Sequence, residues 1–376
     1  MGTNRKRAIV AVTNDLVTDQ RVHKVCLFLV KEGFNVKLVG RKQWKSLPVP
    51  RRSYDTFRMK LLFEKGPLFY AVYNIRLFLY LLTRKADLII PNDLDTLPAC
   101  FLVAKIRKTS LVYDTHEYYC GTPELANRPF VRNFWRKTEQ YIFPKLNDII
   151  TVNDSIAALY KQEYGKTLHV VRNIPPASKS RVTVSRKQLG LPEEKTILIL
   201  QGAGINVDRG VEELVEAMPY VYDDIMLLIV GSGDVISQLK KRAQALLLGD
   251  KILFIPKVPL EKLQAYTAAA NIGLTVDKDT NINYRYSLPN KLFDYIRAGI
   301  PVISSRLKEI ERIIRRYDIG TFIQNHEPKH MAELINQTVS DTNQILIWKG
   351  NLKKANRELT WENEEETLRK VYEKYK

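Results

Sequence analysis

TILILQGAGINVDRGVEELVEAMPYVYDDIMLLIVGSGD, residues 196–234, reads as strand, helix, strand. TILILQG (196–202) is a short apolar run, GVEELVEAMPYV (210–221) carries apolar residues at helical spacing, and IMLLIVGSGD (225–234) is a second apolar run ending in glycines. Strands that are apolar on both faces, joined by a helix, imply a parallel sheet covered on both sides, because a half-exposed strand would alternate. The rhythm continues with helix VISQLKKRAQALL (235–247), strand ILFIP (252–256), helix LEKLQAYTAAA (260–270) and strand NIGLTV (271–276). This half is expected to be a doubly wound domain.

The first half shows the same alternation. AIVAV (8–12), the helix-spaced RVHKVCLFLVKEG (21–33) and NVKLVG (35–40) make a βαβ opening. LFYAVYNIRLFLYLLTRK (68–85) is long and apolar enough for a helix, and ADLIIPND (86–93), SLVYDTHE (110–117) and NDIITVND (147–154) are strand-then-loop units. VVRNIPP (170–176), followed by a polar run to Lys195, breaks the pattern and reads as a linker. The expected domains are therefore 1–174 and 175–358, with a charged amphipathic helix over 359–376 that begins near Thr360.

A chain of 376 residues suits two domains, each with its own core. The net charge of +18 is uneven: residues 1–175 hold 29 Lys and Arg against 15 Asp and Glu, about +14, and the remainder 30 against 26, about +4. Something acidic is expected to meet the first half, whether nucleic acid, an anionic bilayer or a phosphate-bearing substrate. Cys26, Cys100 and Cys120 are odd in number and lack CxxC spacing, which argues against a disulfide framework or a zinc site and for a reducing compartment. Arg5-Lys6-Arg7 leads straight into a strand-length run, so no signal peptide is expected and the reading is cytoplasmic. Residues 68–85 read either as a core helix or, with Arg76, Arg84 and Lys85, as a helix lying on an anionic membrane; Asn74 and Arg76 argue against a span.

Ligands of open α/β sheets bind at the carboxyl ends of strands, so the polar residues there are the candidates. In the first half they are Thr13, Asn14 and Asp15, then Asn92, Asp93 and Asp95, then Asp114, His116 and Glu117, expected to converge on one crevice edge. Asp114, His116 and Glu117 suit an acid/base group in which a carboxylate orients an imidazole; otherwise Asp114 caps backbone amides and His116 fills a loop. In the second half they are Gly202, Gly204 and Arg209, then Gly231, Ser232 and Gly233, where glycine permits close approach of a phosphate and the arginine neutralises it. No GxxxxGK[ST], complete GxGxxG fingerprint or HExxH occurs, and no metal is expected.

SLPNKLFDYIRAGIPVISS (287–305) adds a helix opened by Pro289, with Ser287 placed to cap it, and closed by Gly299 before a short buried strand. Asn290, Lys291 and Asp294 share one face near its N-terminus, which suits a nucleotide or, equally, a solvated helix face.

Taken together, DQRVHKVCLFLVKEGFNVKLV, VYDTHE, VVRNIPP, PNKLFDYIRAGIPVI and LTWENEEETLRKVY, in this order, resemble the family-4 (group 1) retaining glycosyltransferases. The resemblance covers nearly the whole chain. It implies an α/β fold of two doubly wound Rossmann-like domains facing across a cleft (GT-B), with the closing helix crossing back to the first domain. It implies a nucleotide-sugar donor on the second domain, a glycan or lipid-linked acceptor on the first, transfer with retention, and no metal or other cofactor. The second glutamate of the family's E-x7-E motif, on the ribose, matches Asp294; the first, on the sugar, falls on Tyr286, leaving Ser287 and the backbone of Leu288 and Pro289 to stand in. The family's Arg and Lys on the diphosphate match Ala203 and Arg209, so Lys291 is the candidate for the missing charge. The glycine-pair loop after the first strand is replaced by Asn14 and Asp15.

The expected catalytic residues are thus His116, Arg209 and Lys291. The donor is expected to meet Gly202, Gly204, Arg209, Gly231, Gly233, Ser287, Leu288, Pro289, Asn290, Lys291 and Asp294, and the acceptor Asn14, Asp15, Arg21, Asp93 and Glu117. The resemblance suggests cell-envelope polysaccharide synthesis, with the basic first half against the inner face of a membrane and no nucleic acid as partner. Two readings compete: a nucleotide-sugar 2-epimerase of the same fold, and a non-catalytic basic module for nucleic acid or membrane.

Overall fold

The computed structural model describes residues 5–17, 19–126, 128–177 and 184–376. The chain forms two compact units, residues 1–173 with 364–376, and residues 174–363. The linker tract expected after Pro176 falls partly on 178–183, outside the described residues.

The first unit runs β1 (Arg7–Ala11), α1 (Gln20–Lys31), β2 (Asn35–Lys42), β3 (Asp55–Lys60), α2 (Gly66–Thr83), β4 (Leu88–Pro91), α3 (Leu97–Arg107), β5 (Ser110–Thr115), α4 (Pro123–Ala126), α5 (Pro129–Ile142), β6 (Asp148–Thr151), α6 (Asp154–Tyr164) and β7 (His169–Val170). Among the described residues its sheet has seven parallel strands in the order β3-β2-β1-β4-β5-β6-β7. The order reverses between β1 and β4, and the loops leaving those two strands diverge there to open a crevice. Residues 66–83 form helix α2, one face of which packs into the core. Phe69, Tyr73, Leu77 and Leu81, four apart, are buried against the sheet, while Leu68, Ile75 and Leu79 on the other side are exposed. No helix among the described residues is long and apolar enough to cross a membrane.

The second unit runs β8 (Thr196–Gly202), α7 (Val211–Ala217), β9 (Ile225–Gly231), α8 (Ile236–Ala245), β10 (Ile252–Pro256), α9 (Leu260–Ala269), β11 (Ile272–Thr275), α10 (Ile282–Arg285), α11 (Asn290–Ala298), β12 (Val302–Ser304), α12 (Lys308–Tyr317), β13 (Gly320–Phe322), α13 (Pro328–Ser340), α14 (Thr342–Glu358) and the start of α15 (Trp361–Tyr372). Its six described parallel strands lie in the order β10-β9-β8-β11-β12-β13, reversing between β8 and β11. Alternate residues of β8 feed opposite faces: Leu198 and Leu200 pack with α7 and α13, Ile197 and Ile199 with α11, α12 and α14. That two-sided burial is why the strands read as continuous apolar runs.

The end of the chain belongs with the first unit. Glu364 receives the Arg172 amide at 2.7 Å and its Nε at 2.9 Å, Lys31 reaches Glu365 at 2.7 Å, and Lys374 reaches Asp148 at 2.7 Å. Tyr372 is buried beside Phe28, ring centroids 6.2 Å apart. All three cysteines are free and buried.

Candidate active site

In the second unit the candidate residues gather at the carboxyl ends of β8 and β11, where the strand order reverses. Arg209 Nη1 lies 3.4 Å from one oxygen of Asp277 and Lys291 Nζ lies 3.5 Å from the other. Asp277, two residues beyond β11, is fully buried, so it serves as a fixed anchor for both cations. These separations exceed the 2.7–2.9 Å of a closed charge-assisted bond, and both cations stay partly exposed with N–H groups to offer another anion. Arg209 also stacks over the Tyr284 ring at 4.0 Å, which limits its rotamers.

The backbone explains how Arg209 arrives there. It sits between two left-handed residues, Asp208 at φ +66 and Gly210 at φ +68, and a Cβ on Gly210 would stand 2.0 Å from the Val276 carbonyl oxygen. Only glycine lets this turn press against the loop that carries Asp277.

Asp294, one turn into α11, accepts a hydrogen bond from Gln201 Nε2 at 2.9 Å, and Gln201 Oε1 accepts one from Thr267 Oγ1 at 2.6 Å. Gln201 is the buried penultimate residue of β8, so the carboxylate is oriented from the sheet itself. Asp277, Gln201, Thr267 and Tyr284 escaped the sequence reading. Asp277 carried the one available signal, a charged residue directly after an apolar strand.

The cap expected of Ser287 needs correction, and the other residues expected on the donor side are placed as follows. Pro289 occupies the N-cap position of α11 with no side-chain capping bond, and the Ser287 hydroxyl, expected to cap the helix, is buried without a partner among the described residues. Leu288 packs its side chain against the core. Gly231 and Gly233 are small for an internal reason: a Cβ there would meet the Gly202 and Ile205 carbonyl oxygens at 1.8 and 1.9 Å, so they let the β8 and β9 loops lie together. Gly202 and Gly204 have ordinary space around them, and Asn290 is exposed in the first turn of α11. The cap expected of Gly299 is present, at φ +74.

In the first unit the post-strand residues do converge. Thr13 Oγ1 donates to Asp95 Oδ2 at 2.7 Å, joining the ends of β1 and β4. Asp93, itself left-handed at φ +60, accepts the His116 amide at 2.8 Å and lies 3.3 Å from His116 Nδ1. His116 Nε2 lies 3.8 Å from Asp114. Burial opposes charging His116, but Asp93 and Asp114 outweigh it and hold the imidazole protonated well above its usual range. Burial also opposes the charge on Asp114, yet Arg21 and His116 bring it down to about 2. Asp114 caps no backbone amide; it pairs with Arg21 Nη2 at 2.8 Å, and Arg21 Nη1 reaches the Val171 carbonyl at 2.7 Å. Arg21 is thus a buried structural residue rather than a surface for an acceptor.

A cavity of about 1210 Å³ opens beside this cluster, and Asn14, Asp93, Asp95 and Glu117 line it. Asp15 is held instead by Arg58 at 3.1 Å, and neither Asp15, Arg21 nor His116 belongs to the lining. Burial, then Asp93, pushes Asp95 up to about 7; burial, then Asp93 and Glu124, pushes Glu117 up to about 8. The lining therefore mixes neutral and charged carboxyl groups near neutral pH, suited to hydrogen-bonding hydroxyl groups. No group of three or more His, Cys, Asp or Glu that could hold a metal occurs among the described residues.

Two doubly wound parallel-sheet units are the architecture of the GT-B glycosyltransferases, and solved structures agree. Sucrose-phosphate synthase from Thermosynechococcus elongatus superposes with a TM-score of 0.76 at 18% identity over 98% of this chain and 99% of that one. Anabaena Alr3699/HepE in complex with UDP gives 0.72 at 14% identity over 98% and 100%. Residues 182–355 match the family model for glycosyl transferases group 1. A curated phosphatidyl-myo-inositol mannosyltransferase from Mycobacterium leprae (strain TN) is 31% identical over 144 residues, covering 38% of this chain but only 36% of the relative. The chain thus has the GT-B fold, and most of its second unit is similar to the group 1 glycosyltransferases.

Proposed function

We propose that the protein transfers a sugar from a nucleotide-sugar donor to a glycan or lipid-linked acceptor with retention of configuration and without a metal, in cell-envelope polysaccharide synthesis. The carrying observation is the pair of cations on Asp277 beside the oriented carboxylate of Asp294. Asp294 would accept hydrogen bonds from the ribose hydroxyls. Arg209 and Lys291 would take the diphosphate and stabilise the charge that grows on it as the sugar C1–O bond breaks. The acceptor oxygen then bonds to C1 on the face the diphosphate leaves, and its proton passes to a phosphate oxygen, so no strong protein base is needed. HepE is solved with UDP and with UDP-glucose, which supports a nucleotide sugar here. Protonated His116, on the first unit, would position the sugar. Tyr286 stands where a sugar-binding carboxylate is expected, and the Ser287 hydroxyl is the group at hand to replace it.

The basic first unit supports work at the inner, anionic face of a membrane from the cytoplasm. The test is a thermal-shift screen against UDP, GDP, ADP, dTDP and CMP sugars, followed by product analysis of the anomer formed. One nucleotide sugar should raise the melting temperature and yield product with the donor's configuration. Absence of any shift, or conversion of the donor sugar without acceptor, would overturn the reading.

A further inference from the structure

The first unit's cavity is lined by more than its post-strand carboxyl groups. Its lining includes Asp95, 7% exposed, whose Oδ1 has no hydrogen-bond partner among the described residues. Thr13 satisfies only the other oxygen. A buried carboxyl of the lining with one oxygen unpartnered is a place for a hydrogen-bond donor of a ligand, since leaving it unmet is costly.

The lining also holds three cations, Arg41, Lys65 and Arg128, with no ion-pair partner among the described residues. Arg41 is pinned, its guanidinium 4.4 Å over the Phe69 ring and its Nη1 on the Glu64 carbonyl at 2.8 Å, and its Nε is unpaired. A fixed arginine beside two free cations is suited to a phosphate.

Phe130 and Phe134, one turn apart on α5, are 89% and 61% exposed although they line the same cavity. Neither is part of a core, and behind them the buried Trp135 packs edge-on against Tyr70 and Tyr119 at 5.4 and 5.5 Å. A neutral glycan would bring no counter-charge to the three unpaired cations. At about 1210 Å³ the cavity also exceeds the roughly 300–1,000 Å³ usual for a small ligand.

Resting on the transferase reading above, we infer that the acceptor is a phosphorylated amphiphile: its hydroxyl-bearing head meets Asp95, its phosphate meets Arg41, Lys65 and Arg128, and its hydrocarbon tail leaves over Phe130 and Phe134. The tail comes either from an isoprenoid or from a diacylglycerol.

The test is calorimetric binding, below the micellar range, of farnesyl diphosphate, dihexanoyl phosphatidic acid and inorganic pyrophosphate. It uses the full chain, the triple variant Arg41→Gln/Lys65→Gln/Arg128→Gln and the double variant Phe130→Ser/Phe134→Ser. At least one tailed phosphate should bind tenfold or more tighter than pyrophosphate, and which one does so names the source of the tail. The charge variant should weaken the tailed ligand at least tenfold. The phenylalanine variant should weaken the tailed ligand but leave pyrophosphate unchanged. Equal binding of tailed and untailed phosphates, or a tailed ligand indifferent to both variants, would overturn the inference. Nucleoside-diphosphate binding, measured on the same preparations, confirms folding and separates the two readings. Its absence from the wild type defeats the donor reading, whereas its presence without tailed-phosphate binding defeats only this one.

Discussion

Arg209 and Lys291, 82 positions apart in the sequence, flank the two oxygens of one buried carboxylate, Asp277, at 3.4 and 3.5 Å. A shared anchor holds two like charges near each other before any ligand arrives, which is the preorganisation a diphosphate site requires. The same relationship makes the two residues separable by experiment from Asp294.

Lys291→Ala should weaken a nucleoside diphosphate about tenfold and leave the unphosphorylated nucleoside unchanged, since a charge-assisted bond is worth roughly 1.5–3 kcal/mol. Arg209→Ala should lower turnover more than donor affinity, because charge on the diphosphate grows as the bond breaks. Calorimetry and steady-state rates check the two; equal losses for nucleoside and diphosphate would contradict the assignment.

Gly210→Ala should destabilise the protein by roughly 1–3 kcal/mol, combining a left-handed φ with a Cβ 2.0 Å from the Val276 oxygen. A lower urea midpoint is the expected result. A midpoint equal to wild type would show that the turn tolerates a side chain and that the packing around Asp277 is loose.

Stability should fall as pH rises from 5 to 8. Burial lifts Glu139, which accepts hydrogen bonds from Tyr160 and Tyr164, up to about 7, and lifts Asp95 likewise. A carboxyl raised in the folded state holds more protons folded than unfolded, so its stabilising share is present below the ordinary carboxyl range and is lost through about pH 7. His116, raised by Asp93 and Asp114, contributes in the same direction at higher pH. Melting temperatures should decline across this interval, and Glu139→Gln should flatten the decline. A wild-type profile that rises with pH would refute the assignment.

His116→Ala should cut kcat/KM on the true donor at least tenfold while leaving the fold intact, because the Arg21 and Asp114 pair at 2.8 Å does not depend on the imidazole. Circular dichroism verifies the fold. Full activity in the variant would remove the positioning role.

The doubly wound units were legible because parallel strands buried on both faces leave an unbroken apolar signature, as in Thr196–Gly202, whose observed limits match the expected ones; the half-buried edge strand Ile252–Pro256 was found from its apolar run alone. Strand β3, DTFRMK, was not legible: it lies on the sheet edge, half exposed and charged. Helix α5 was also passed over, since Phe130 and Phe134 point outward against the usual pattern. Of the candidate site, residues next to strand ends were found from position alone. Asp277 and Gln201 were missed because their roles are three-dimensional: one anchors cations from a loop and from a helix 82 positions apart, the other orients a carboxylate 93 residues away. Arg21 misled for the complementary reason, since a charged residue early in a helix gives no sign that a buried Asp114 awaits it.

The central claim is that the second unit binds the nucleotide of a donor sugar through Asp294. Titrating the best-binding nucleoside diphosphate into the wild type and Asp294→Ala by calorimetry tests it most directly. The account predicts an affinity loss of tenfold or more, similar for mono- and diphosphates because the contact is to the ribose. Affinity unchanged in Asp294→Ala would contradict it.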